Sequence, residues 1–203
     1  MKMKRNYKKD FTLLALLLIP IGVAINFVGF QVAQVLRLPI FLDTIGTILV
    51  GVIAGPLVAI VAAFITNSIT AIFNPIYFPY VITSMAIGLG AGLLSKYGMF
   101  RTIYKAIISG LIITAIAVIA SAPITVLFFG GATGNTSSAI TATFLAMGQN
   151  IWSAVFTSTI ITEIADKVIS VLFVYFIVKS MSDRYLSKMK YGHLYMKKSN
   201  RNK

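Results

Sequence analysis

Long runs without charge dominate the chain. Phe11 to Leu36, Thr44 to Ser95 and Ala106 to Thr162 contain no Asp, Glu, Lys or Arg. A helix that crosses a membrane needs about 20 mostly apolar residues, so these runs hold one, two and at least one crossing. Turn signals divide them further: Pro39, Gly55-Pro56, Asn74-Pro75 with Pro79, the basic stretch Lys96 to Tyr104 around Gly98, and the polar stretch Gly130 to Ser138. The pattern predicts six helices over 11–34, 41–55, 57–73, 80–95, 105–128 and 148–180. The second and third are short for a full crossing and are expected to lie tilted or packed inside. The fold class expected is an all-α integral membrane protein: a six-helix transmembrane bundle over 11–180, with a basic segment 1–10 before it and a basic tail 181–203 after it. The opening MKMKRNYKKD has the charge of a signal-peptide start, but no A-x-A-like cleavage site follows and the apolar run is too long. It reads as the flank of a retained first helix.

Composition strengthens this picture. Of 203 residues, 58% are hydrophobic and 11% charged, with a mean hydropathy of +0.88. Soluble domains run near 45–50% apolar and about a quarter charged. The net charge of +13 points toward nucleic acid only if a folded polar surface carries it. Too little polar surface exists, so no nucleic acid is expected. Sixteen of the eighteen basic residues fall before the first helix, around the loop between the fourth and fifth, or at and beyond the end of the last. A six-helix chain puts these three regions on one side, which the positive-inside rule makes cytoplasmic. Both termini are then cytoplasmic and the location expected is the cell membrane, multi-pass. Tail lysines and arginines are expected to set topology and to touch lipid head groups, with His193 solvated.

Most catalytic chemistry is missing. The chain has no cysteine and one histidine, so thiolate nucleophiles, zinc–thiolate sites and an intramembrane Ser-His pair are excluded. No H-E-x-x-H, phosphate-binding loop or G-x-S-x-G elbow occurs. An enzyme is not expected, nor a metal or cofactor. Active transport would have to draw on a partner or an ion gradient. Gly51/Gly55 and Gly88/Gly92 form G-x-x-x-G spacings, whose use is close helix packing.

Ionisable residues inside the apolar regions are few. Arg37 and Asp43 flank the Leu38-Pro39-Ile40 break, and Glu163, Asp166 and Lys167 lie within the last helix. A centred charge costs roughly 2.5–3.5 kcal/mol on insertion scales, so the last three require partners or a wet cavity. Glu163 and Lys167 stand i, i+4 in the favourable acid-first order. Thr159, Glu163, Asp166 and Ser170 share one helical face, which should look inward. Counting back from Lys179 places Glu163 and Asp166 between midplane and outer boundary. Asn26 and Asn67 fall in the same half, and Asn74, Gln149, Asn150 and Trp152 rim it. A pocket open to the outside is the simplest explanation, with Asn26, Arg37, Asp43, Asn67, Asn74, Gln149, Asn150, Glu163, Asp166 and Lys167 as candidate ligand contacts. Structural roles compete: intramembrane Asn and Thr also join helices, Arg37 and Asp43 would form a loop-fixing ion pair, and Trp152, Tyr77 and Tyr80 would serve as interfacial anchors.

Several segments together resemble a known family. Leu38-Pro39-Ile40-Phe41-Leu42-Asp43-Thr44-Ile45-Gly46-Thr47, Gly55-Pro56, Thr66-Asn67, Asn74-Pro75, Gly92-Leu93-Leu94, Gly130-Gly131-Ala132-Thr133-Gly134 and Ala165-Asp166-Lys167 are similar in order and spacing to the substrate-binding S component of energy-coupling factor (ECF) transporters. The resemblance covers most of residues 11–184. It implies a six-helix protein that captures a small polar vitamin-like ligand at the outer face. It also implies a membrane T subunit and two cytoplasmic ATPase subunits as partners, and transport in which the S component topples in the membrane. The family often shows A-x-x-x-A on its first helix, where the T subunit docks. Here the first helix offers Ala15, Gly22, Ala24 and Gly29-x-x-x-Ala33. Two other readings remain open: a ligand sensor signalling to a separate kinase, and a stand-alone ion-coupled carrier using Glu163 or Asp166.

Overall fold

The computed structural model describes residues 11–196. Its principal elements are α1 (Leu13–Val35), α2 (Ile45–Ala54), α3 (Pro56–Phe73), α4 (Val81–Lys96), α5 (Ile103–Phe129), α6 (Thr136–Ala146), α7 (Ile151–Ser180) and α8 (Asp183–Leu186), and no strand occurs among the described residues. Local chemistry sets the ends. Thr12 Oγ1 accepts from Ala15 N at 3.2 Å to open α1, and Asn150 Oδ1 accepts from Ser153 N at 2.9 Å to open α7. Gly130, at φ 58°, closes α5 in the left-handed conformation that glycine adopts without strain. Gly55, at φ 104°, turns the chain directly into Pro56 at the first position of α3.

Three helices, Leu13–Val35, Pro56–Phe73 and Ile103–Phe129, are long and apolar enough to cross a membrane. Large apolar side chains stand exposed along α1, α5 and α7, among them Leu13, Leu17, Val28, Ile119, Leu127, Phe173 and Phe176. Such surface belongs against lipid rather than water.

All ten residues of α2 are buried, with α1, α3, α4 and α7 packed around it. At about 1.5 Å per residue it reaches only about 15 Å, half a bilayer core. Small residues bring its neighbours close. A Cβ on Gly46 would overlap the Gly22 carbonyl of α1, and one on Gly51 would meet Gly88 O and Gly92 N of α4 at 3.1 Å. Gly51, Gly88 and Gly92 thus meet neighbouring backbone, while Gly55 sits at the turn beside the Lys190 and Tyr191 side chains. Helices α5 and α7 run antiparallel, because Gly110 faces Val168 while Thr114 Oγ1 donates to Glu163 O at 3.2 Å.

Two local expectations need correction. The second helix begins at Ile45 rather than 41, because the preceding loop is held by α7. Helix α6 follows the polar stretch that reads as a loop; its Asn135 cap accepts from Ser138 N at 3.1 Å, and its Ser/Thr-rich faces lack a clear apolar stripe. The tail as far as Met196 packs back onto the bundle. Leu186, Met189 and Tyr195 are buried, and Tyr191 N donates to Ile53 O at 3.0 Å. Tyr195 Oη lies 2.7 Å from Ser95 Oγ, so this segment closes over the ends of α2 and α4. His193 is exposed. The basic segment 1–10 and residues 197–203 lie outside the described residues.

Candidate functional site: a polar cavity beside α7

Glu163, Asp166 and Lys167 turn inward, at 4%, 0% and 2% exposure, while Ile160, Ile161, Ile164 and Phe173 of the same helix face out. Lys167 Nζ is the centre of the group. It donates to Thr44 Oγ1 at 3.1 Å and to Asp166 Oδ2. Glu163 Oε2 lies 3.2 Å away, an ion-pair distance at which it nevertheless makes no hydrogen bond. Asp43 Oδ1 stands 4.0 Å off. One ammonium thus serves three carboxylates.

Asp166 has a second task. Its Oδ1 accepts from Phe41 N at 3.1 Å and Leu42 N at 2.7 Å. Leu42 sits at φ 53°, a left-handed conformation that costs a non-glycine residue about 1–2 kcal/mol. The two charge-assisted hydrogen bonds offset that cost and aim Asp43 toward Lys167. Thr44, at the mouth of α2, makes no side-chain capping bond. Its place is taken by Asn26 of α1, whose Oδ1 accepts from Gly46 N at 2.7 Å and Thr47 N at 3.2 Å. The Asn26 amide donates to Thr47 Oγ1 and Thr66 Oγ1. Two of the otherwise orphaned N–H groups of the α2 N-terminus are satisfied from another helix.

Because α2 is short, the bundle interior beyond its N-terminus is not filled by a central helix. A partly enclosed cavity lies there, between Thr44 and Ile87 below and the Gly131–Thr141 segment above. Measured to water centres it holds about 70 Å³; one water needs about 10–15 Å³ on that measure, so several fit. Fourteen of its twenty-one lining residues carry a hydroxyl, so polar groups are set among apolar wall surface. Tyr80 Oη lies 2.7 Å from Thr125 Oγ1, and Thr141 Oγ1 2.7 Å from Ser158 Oγ, tying the wall together. Thr83 Oγ1 and Ser121 Oγ, both buried, have no hydrogen-bond partner among the described residues. The cavity lies toward the end of the molecule away from Lys96 and Lys179, since α4 runs from it to Lys96 and α7 runs past it to Lys179.

Of the ten residues singled out from sequence, Asp43, Glu163 and Lys167 line this cavity. Asp166 stands behind it as the loop clamp. Asn26 is consumed at the helix junction, and Asn67 donates to Ala63 O within its own helix at 3.1 Å. Asn74 accepts from Ile76 N at 3.2 Å to form the following turn. Gln149 and Asn150 bond Ser153 at the start of α7. Arg37 is exposed at φ 51°, while Asp43 pairs toward Lys167; the loop is fixed by Asp166 rather than by an Arg37–Asp43 pair. Tyr77 and Tyr80, expected as interfacial anchors, belong to the cavity wall. Tyr77 packs edge-on to Phe30 at 4.9 Å, and Tyr80 stacks on Phe129 at 5.9 Å. The hydroxyl wall itself escapes sequence reasoning; the signal available was the four-residue spacing Ser121/Thr125 and Ser158/Thr162 on two helices. Comparison with protein-family models, curated proteins and solved structures finds no match for the chain.

Proposed function

We propose that the chain is the substrate-binding S component of an ECF-type importer, taking a small water-soluble, vitamin-like compound from outside the cell. In this reading the chain crosses the cell membrane six times with both termini in the cytoplasm, and α6 lies at the outer surface. A T subunit and two ATPases supply the energy that the chain has no motif to extract. The single observation that carries the reading is the hydroxyl-lined cavity beside a buried carboxylate cluster, opposite the basic end. Polar surface buried in a membrane protein is costly and marks a ligand path more often than a structural need. The first-helix residues Gly22, Gly29 and Ala33 pack inward, against α2 and the loop before it, so a partner would meet the exposed face around Leu17, Ile21, Ala24 and Val28.

Gentle purification from native membranes followed by native mass spectrometry tests this. The expected result is a complex with one further membrane subunit and two ATPases. Co-purification with a kinase would support a sensor instead, and ionophore-sensitive uptake by the isolated chain in liposomes would support a carrier.

A further inference from the structure

The charge balance of the cavity points to the class of compound it receives. Glu163, Asp166 and Asp43 face Lys167 as the one basic side chain among the lining residues and their clamp. Fully ionised, the group carries a formal charge of −2. The N-terminus of α2 offsets about half a charge, and the remaining titratable neighbours, Tyr77 and Tyr80, are neutral phenols at pH 7. An excess of buried negative charge is unfavourable by several kcal/mol, and either a proton or a cationic guest relieves it.

Lys167 is not available to a ligand anion, because Thr44, Asp166 and Glu163 already surround it. Asp43, whose side chain is 28% exposed, and Glu163 are the charged groups left facing the space. A second, independent observation lies across the cavity. Thr83 Oγ1 and Ser121 Oγ, at 5% and 6% residue exposure, have no hydrogen-bond partner among the described residues. Unsatisfied buried hydroxyls cost about 1–3 kcal/mol each, and in this position a polar guest satisfies them.

Resting on the S-component reading of this cavity, we infer that its ligand is a small organic cation: an amine or amidine-like nitrogen held between Asp43 and Glu163, with polar groups reaching Thr83 and Ser121. Phe41, Tyr77 and Tyr80 supply aromatic surface to the same space, and aromatic rings favour cations over anions. A bare metal ion fits less well, since the space admits several waters and the hydroxyls stand on other helices from the carboxylates.

The test uses the full chain alone in nanodiscs, so its outcome is independent of any partner subunits. Benzylamine, benzyl alcohol and benzoate share shape and differ in charge. Thermal shift and calorimetry should show benzylamine binding about tenfold or more tighter than the alcohol, with benzoate not binding. Glu163→Gln and, separately, Asp43→Asn should each weaken benzylamine by about tenfold; Asp43 is the less buried, so its variant serves if Glu163→Gln does not fold. Equal shifts from all three probes, preference for benzoate, no shift from benzylamine, or stabilisation by sodium that benzylamine does not displace would each overturn the inference.

Discussion

Asn26 and Asn67 are both buried asparagines on apolar helices, and they do different work. Asn26 takes four hydrogen bonds, two of them from the first turn of α2, whereas Asn67 bonds only its own helix at Ala63. Asn26→Ala leaves buried N–H groups unpaired and should cost about 2–3 kcal/mol. Asn67→Leu removes both the polar group and its need for a partner, and should change stability by less than about 1 kcal/mol. Thermal unfolding of the two variants in the same detergent checks the contrast. From sequence the two were indistinguishable, because an isolated Asn in an apolar run announces a hydrogen bond without saying to what. Asp166 was legible as a residue needing partners, since a charge in lipid is costly wherever the chain goes next. Its partners, the backbone of Phe41 and Leu42, lie more than a hundred residues away and depend on a strained turn that leaves no mark in composition.

At the scale of elements, helix α2 owes its central place to the lack of side chains on its neighbours. Gly46→Ala forces a methyl into the Gly22 carbonyl of α1. Backbone must move, so the loss should reach about 3 kcal/mol or more. Gly130→Ala meets no atom within 4 Å, and its cost is limited to the left-handed conformation, about 1–2 kcal/mol. Chemical unfolding of both should rank them in that order. The docked tail gives a pH signature. Burial pushes the Tyr195 phenol up to about 12, with the Ser95 hydrogen bond and Arg101 working in the other direction. The released phenol ionises near 10, so release is favoured as pH rises between about 10 and 12, and docking is unaffected below that window. Phenolate absorbance compared with Tyr195→Phe should show the delayed titration. The charge-free runs and the turn signals between them made α1, α3, α4 and α5 readable to within a few residues. Helix α6 was hidden because its Ser and Thr residues read equally as loop and as helix when the hydroxyls bond back to the preceding turn, as Thr141 does to Ser137.

The whole molecule has two dissimilar ends, one basic and closed by the tail, the other holding the cavity. With no cysteine in the chain, single cysteines report orientation against a silent background. Ser153→Cys, exposed at the start of α7, should react with an impermeant reagent in intact cells, and Ser187→Cys, exposed beyond its end, only after the membrane is opened. The reverse pattern would invert the proposed topology. Charge distribution made the basic end legible because lipid penalises each charge locally. The cavity was legible only in part, since its hydroxyls come from five separate stretches of the chain and meet only once it has folded. Whether that cavity holds a hydrophilic guest is the claim on which the functional reading stands. Ser121 lines it with a hydroxyl unpaired among the described residues, and Ser121→Phe fills space in it without removing a member of the ion group. Native mass spectrometry of protein taken gently from the membranes of its own cells should detect a bound small molecule on the unaltered chain and none on folded Ser121→Phe. Retention of the same mass by the filled variant, or no bound compound on the unaltered chain, would contradict the account.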